Sequence, residues 1–158
     1  MSFSHTVETS ASPEAIWSIW TAVGRWPEWD VELESAQLDG SFQLGAIGQL
    51  TPKVGPPSHF VISQLDPNKS YTFTTQLPLC KLKVHRFFQP NRGVDDALRF
   101  THEVSFSGPL AFLFNALLGA RFRRALPVAM QEIKRLAEIA AINPQTPSRT
   151  KLRTKRGK

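Results

Sequence analysis

Cys80 is the single cysteine of the 158-residue chain. An internal disulfide and a cysteine-built zinc site are therefore excluded, and the count points to a reducing, cytoplasmic compartment. No apolar run approaches the ~20 residues that a membrane-spanning helix needs. The N-terminus, MSFSHTVETS, has no basic region followed by an apolar stretch, so a signal peptide is not expected. Also missing are a GxSxG elbow, a glycine-rich phosphate loop after a strand, an HExxH pair and two acids on one strand face. Those absences leave no support for the usual nucleophilic, phosphate-transfer or metallohydrolase chemistries, and no cofactor or metal is expected.

Acidic residues are scarce in one place only. Of 19 Lys and Arg against 13 Asp and Glu, six basic residues (Arg149, Lys151, Arg153, Lys155, Arg156, Lys158) lie after Asn143, with no acid among them. The remaining 13 bases balance the 13 acids, so the net charge of +6 belongs wholly to the C-terminal segment. That segment, 143–158, has two prolines and no periodic apolar face, and is expected to be a disordered basic tail. It reads either as a solvated terminus or as a contact for anionic lipid or nucleic acid. With the charge confined there, a nucleic-acid role for the domain at 1–142 is not expected.

What is present is aromatic: 11 Phe and 4 Trp demand burial. Ser2 to Thr9 alternates as a first strand. Ser12-Pro13-Glu14 starts a short helix, with a capping hydroxyl, a proline in the first turn and an acid at the positive dipole end. Ile16, Ile19, Trp20 and Val23 form its buried stripe, while Trp17 falls outside it and needs other cover. Arg25 to Asp30 reads as a second short helix or turn. Strands follow at Val31–Leu38, Ala46–Lys53, His59–Leu65, Ser70–Leu77, Lys81–Gln89 and Ala97–Ser107, divided by Gly, Pro, Asn and Asp turns. The last has the clearest alternation: Leu98, Phe100, His102, Val104 and Phe106 share one face.

From Gly108 to about Ala141 runs the longest helical signal, with Ser107 or Gly108 as cap and Pro109 in the first turn. Its second half is amphipathic through Leu126, Met130, Ile133, Ala137 and Ala140. Its first half is apolar on nearly all sides, through Leu110, Phe112, Leu113, Phe114, Leu117, Leu118 and Phe122, and is expected to be enclosed or to cover something apolar. Gly119 and Pro127 predict a bend or break between the halves. Strand, two short helices, about six strands and a long helix make an α+β layout, with the sheet curling around the helix.

Three passages resemble the START-like, helix-grip superfamily in its polyketide cyclase/dehydrase-type branch (SRPBCC proteins). They are Ser12-Pro13-Glu14-Ala15-Ile16-Trp17 with Arg25-Trp26-Pro27-Glu28-Trp29, then Val61-Ile62-Ser63-Gln64-Leu65-Asp66-Pro67, then Thr101-His102-Glu103-Val104 with Ser107-Gly108-Pro109-Leu110. The likeness spans roughly residues 2–141. It implies a sheet of about seven strands gripping the C-terminal helix around a deep, largely apolar cavity. Members bind lipids, polyketides or other hydrophobic small molecules, and some catalyse cyclisation or dehydration.

In such a cavity a few polar groups would orient an apolar ligand. His102, alone among apolar neighbours, reads as a hydrogen-bond partner, as a general acid/base, or as a bonded core histidine. His85 on the neighbouring strand is a second acid/base candidate. With His59 these make three histidines on three strands, but without metal-site spacing. Trp26, Trp29, Phe60, Tyr71, Phe73, Thr75, His85, Phe100, His102, Val104, Phe114 and Leu117 are the expected ligand contacts, several of which serve equally as plain core. Arg121, Arg123 and Arg124 read as a solvated face or as a transient contact with an anionic membrane surface. The expected functions are thus hydrophobic-ligand binding or cyclase/dehydrase-type catalysis, both left open, as is the oligomeric state.

Overall fold

The computed structural model describes residues 1–143. Seven strands form one antiparallel sheet: β1 (Ser2–Thr9), β2 (Leu33–Leu38), β3 (Ile47–Pro52), β4 (Ser58–Asp66), β5 (Ser70–Leu77), β6 (Cys80–Phe88) and β7 (Leu98–Ser107). Their spatial order is β1-β7-β6-β5-β4-β3-β2, so consecutive strands from β2 to β7 pair as a meander and β1 closes onto β7. Between β1 and β2 come helix α1 (Pro13–Thr21) and a 3-10 turn at Val23–Glu28; after β7 comes α2 (Ala111–Ile142). The α+β helix-grip architecture read from the sequence is the observed one.

Local chemistry accounts for the boundaries. Ser12 caps α1, its Oγ accepting the Ala15 N–H at 3.2 Å. Strand β2 starts at Leu33 rather than Val31. The Asp30 carboxylate accepts the Glu32 N–H and the Asp30 carbonyl accepts that of Leu33, so a turn takes the donors that a ladder would have used. Helix α2 starts later than Gly108: that glycine adopts a φ of 112°, and Leu110 holds the N-cap position without a side-chain bond. Neither Ser107 nor Gly108 caps it.

Helix α2 excludes one alternative in each of two expectations, a break between its halves and full enclosure of the first half. It runs as one 32-residue element, about 48 Å long, with Pro127 inside it and no break. Its first half is not enclosed all round, since Phe112 and Leu117 are 60% and 66% exposed. The second half packs Met130, Ile133 and Ala137 into the core as its spacing required. Glu138 also ties it to the end of β1, accepting from Thr9 Oγ1 (2.8 Å) and the Ser10 N–H (3.3 Å). Trp17 finds its cover edge-on against Trp20, Phe42 and Tyr71, with ring centroids 6.0–6.4 Å apart. The basic tail expected at 143–158 lies, beyond Asn143, outside the described residues.

Candidate functional site

Helix α2 does not lie flat along the sheet. Its C-terminal half fills the core, while its N-terminal half stands off and leaves a cavity of about 410 Å³. The sheet contributes Leu50, Phe73, Leu82, Val84 and Val104; the helix contributes Phe114, Leu118, Phe122, Leu126 and Ala129. Those helix positions recur at three- and four-residue steps, which is one face of an α-helix. The turn Val54-Gly55-Pro56 forms the rim opposite α2. There Glu32 and Arg121 make an ion pair, so Arg121 bridges the segment before β2 to the helix instead of standing free. Arg123 lies over the Phe3 ring at 4.7 Å, and Arg124 is exposed.

Seven of the expected contacts line this cavity: Trp26, Trp29, Phe73, Thr75, His102, Val104 and Phe114. Phe60, Tyr71 and Phe100 are fully buried one layer behind. Phe60 stacks on Trp26 at 5.6 Å, Tyr71 packs on Phe42 at 4.9 Å, and Phe100 meets Trp20 at 6.1 Å. Two expectations fall outside. Leu117 points to solvent. His85 is on the opposite face of β6, in the row of Lys81 and Lys83, where its Nδ1 pairs with Thr72 Oγ1 at 2.8 Å and its ring stacks on Phe87. His59 is exposed, so the three histidines do not converge.

The residue missed from the sequence is Arg86. It is 4% exposed on the inward face of β6, and its guanidinium lies over Trp26 (4.6 Å), Trp29 (4.8 Å), Phe73 (5.1 Å) and Tyr71 (5.6 Å). Its Nη1 donates to the Tyr71 hydroxyl, which itself donates to the Trp20 carbonyl at 3.0 Å. The signal was available. Cys80, Leu82, Val84, Arg86 and Phe88 form one period-2 row, and a charge in that row must face inward.

Burial dominates the electrostatics. The His102 imidazole, 1% exposed, is driven well below its ordinary pKa by desolvation first and by the nearby Arg86 charge second. It is therefore neutral at physiological pH, and its Nε2 has no hydrogen-bond partner among the described residues. Burial raises the Asp30 carboxyl, against the pull of the Glu32 N–H and of Arg86. The Tyr71 phenol is raised by the same desolvation.

A seven-stranded antiparallel sheet closed over one long helix, with an apolar cavity between them, defines a helix-grip protein. Residues 1–138 match the family described as polyketide cyclase / dehydrase and lipid transport, and the chain belongs to that family. Among solved structures, the di-domain ARO/CYC StfQ of the steffimycin biosynthetic pathway superposes with a TM-score of 0.72 at 12% identity, over 90% of this chain and 52% of that one. The chain thus spans about half of that protein. MLL2253 from Mesorhizobium loti gives 0.68 at 17% identity, over 88% and 98% of the two chains. The Aha1 dimer from Colwellia psychrerythraea gives 0.63 at 17%, over 88% and 97%. At these identities the likeness is one of fold. No curated protein matches the sequence. Among the described residues no helix is long and apolar enough to cross a membrane.

Proposed function

We propose that this chain binds an apolar small molecule, lipid-like or polyketide-like, in the cavity between the sheet and the N-terminal half of α2. The observation that carries the reading is the lining itself: a space of about 410 Å³ walled by Phe, Leu and Val from both layers. Desolvating an apolar ligand there returns roughly 25 cal/mol per Å² buried, so a ligand of modest size gains useful affinity without many polar contacts. The family description and the helix-grip fold agree with such a role.

Uptake of N-phenyl-1-naphthylamine, a neutral fluorophore that brightens in apolar surroundings, tests it. Saturable enhancement at one probe per chain is expected. Ala125→Trp, which projects an indole from the cavity face of α2, should abolish it. A probe that stays dark with the unmodified protein overturns the proposal.

The enzymatic reading rests on His102, whose unpartnered Nε2 belongs to a cavity-lining, neutral imidazole. A neutral imidazole in a dry site is a base or a hydrogen-bond partner, and a poor proton donor. If the chain turns over its ligand, His102→Gln should remove most of the turnover. If it only binds, the same change should alter affinity modestly.

A further inference from the structure

Arg86 poses a problem that an apolar-ligand cavity does not solve. No carboxylate lies within ion-pair reach of it among the described residues, and Tyr71 is the one hydrogen-bond acceptor its side chain meets. Its Nε is buried and unpartnered. Asp30 also lines the cavity and its charge is felt by Arg86, but its carboxylate accepts the Glu32 N–H and makes no ion pair or hydrogen bond with the guanidinium among the described residues. Four aromatic rings stabilise the cation by their negative faces, yet apart from the Tyr71 hydroxyl they offer no oxygen to its N–H groups. A desolvated guanidinium with so few acceptors is costly unless something else supplies them.

Three of the six other buried side-chain atoms without a partner among the described residues belong to cavity-lining residues, the rest (Trp20 Nε1, Arg99 Nε, Asn115 Oδ1) lying elsewhere. Trp29 Nε1, Thr75 Oγ1 and His102 Nε2 are all buried without a hydrogen-bond partner, and all three residues line the cavity. In the β6–β7 register Arg86 stands opposite His102, and in the β5–β6 register opposite Tyr71. One side of a largely apolar chamber therefore holds a fixed positive charge beside the Trp29 indole and the His102 imidazole.

We infer that this side of the cavity is an anion subsite, and that the ligand is an apolar acid whose anionic oxygens are taken by Arg86. Carboxylates and acidic enols or phenols share that chemistry. The inference rests on the apolar-ligand reading and narrows it: the apolar body lies against α2 and the acidic group meets β6. The rings around Arg86 hold the guanidinium plane in position before binding, so little ordering remains to be done when the acid arrives.

Naphthalene-2-carboxylate and naphthalene-2-carboxamide differ little in shape and differ in charge, so calorimetry on the full chain with this pair is the test. The unmodified protein should bind the carboxylate about tenfold or more tightly than the amide. Arg86→Gln should erase that preference, lowering carboxylate affinity about tenfold or more while leaving the amide within roughly threefold. Equal affinities in the unmodified protein overturn the inference, whether or not the variant folds. So does a preference that survives Arg86→Gln, since Arg121 or the basic C-terminal segment would then be its source. If neither naphthalene binds while N-phenyl-1-naphthylamine does, the anion subsite fails and the apolar cavity stands. If the neutral fluorophore also fails to bind, both readings fall.

Discussion

His102 carries a pH signature that follows from its surroundings. Its folded-state pKa is lowered well below the ordinary value of 6.5, chiefly by burial. Below pH 6.5 the unfolded chain therefore takes up a proton that the folded chain refuses, and stability falls as pH falls. Stability should therefore decline from pH 7.5 to 5.5, and His102→Gln should remove that part of the decline. Urea titrations of both proteins at the two pH values measure the difference; parallel declines would contradict the assignment. Gly48 on β3 makes a steric prediction. A Cβ there would run into the Phe60 ring and the Gln37 carbonyl. Gly48→Ala should then cost about 1–3 kcal/mol, read as a lower melting temperature, because Phe60 cannot yield without disturbing its stack on Trp26. Legibility at this scale was uneven for a physical reason. The row of His102 on β7 is unambiguous, since its polar neighbours all face the other way. On β6, aromatic Phe87 beside His85 mimics an inward row, whereas the phase set by Lys81 and Lys83 puts both of them outside and Arg86 inside. Charge phase was the better guide there than aromatic content. What no one-dimensional pattern displays is which buried residue touches the cavity and which stands behind it, as Phe60 and Phe100 do.

Helix α2 shows how packing outweighs a local rule. Pro127 leaves the Arg123 carbonyl without its usual i+4 donor, and an interior proline costs about 3 kcal/mol relative to alanine. The helix nonetheless continues, because the residues that follow, Ala129, Met130 and Ile133, are anchored in the core. Pro127→Ala should be stabilising by about 1–2 kcal/mol, part of the gain being offset by a freer unfolded chain. The melting temperature should rise roughly 2–4 °C for each kcal/mol. A fall instead would mean that the proline ring packs to a purpose. The amphipathic C-terminal half was legible because a complete core covers one stripe. The N-terminal half was not: its apolar residues divide between the cavity face of Phe114, Leu118 and Phe122 and a solvent face holding Phe112 and Leu117, and composition alone does not separate the two.

For the molecule as a whole, a cavity that binds only the folded chain must couple occupancy to stability. At a hundredfold excess of free ligand over Kd, the gain is about 2.7 kcal/mol. Thermal melts with increasing N-phenyl-1-naphthylamine should shift upward with concentration; a melting temperature that stays fixed under saturating fluorescence would place the fluorophore on surfaces that survive unfolding. Charge sets another property at this scale. Ending the chain at Asn143 removes six basic residues and leaves 13 against 13, a formal net charge of zero. The shortened chain should be markedly less soluble near neutral pH than the full one, measured by precipitation at matched concentration.

The pairing of β1 with β7 sets Ser2 against Ser105 and Thr9 against Leu98. During synthesis, the first strand must wait for the last. The meander from β2 to β6 can zip up as each strand emerges, whereas β1 has no sheet partner until nearly a hundred further residues have been translated. At about 5–20 residues per second that interval is several seconds or more. Through it, Phe3 and Val7 lack the strand that will fix them, and an unpaired edge invites wrong partners. A chain stalled on the ribosome before Leu98 would therefore be the form most in need of a chaperone.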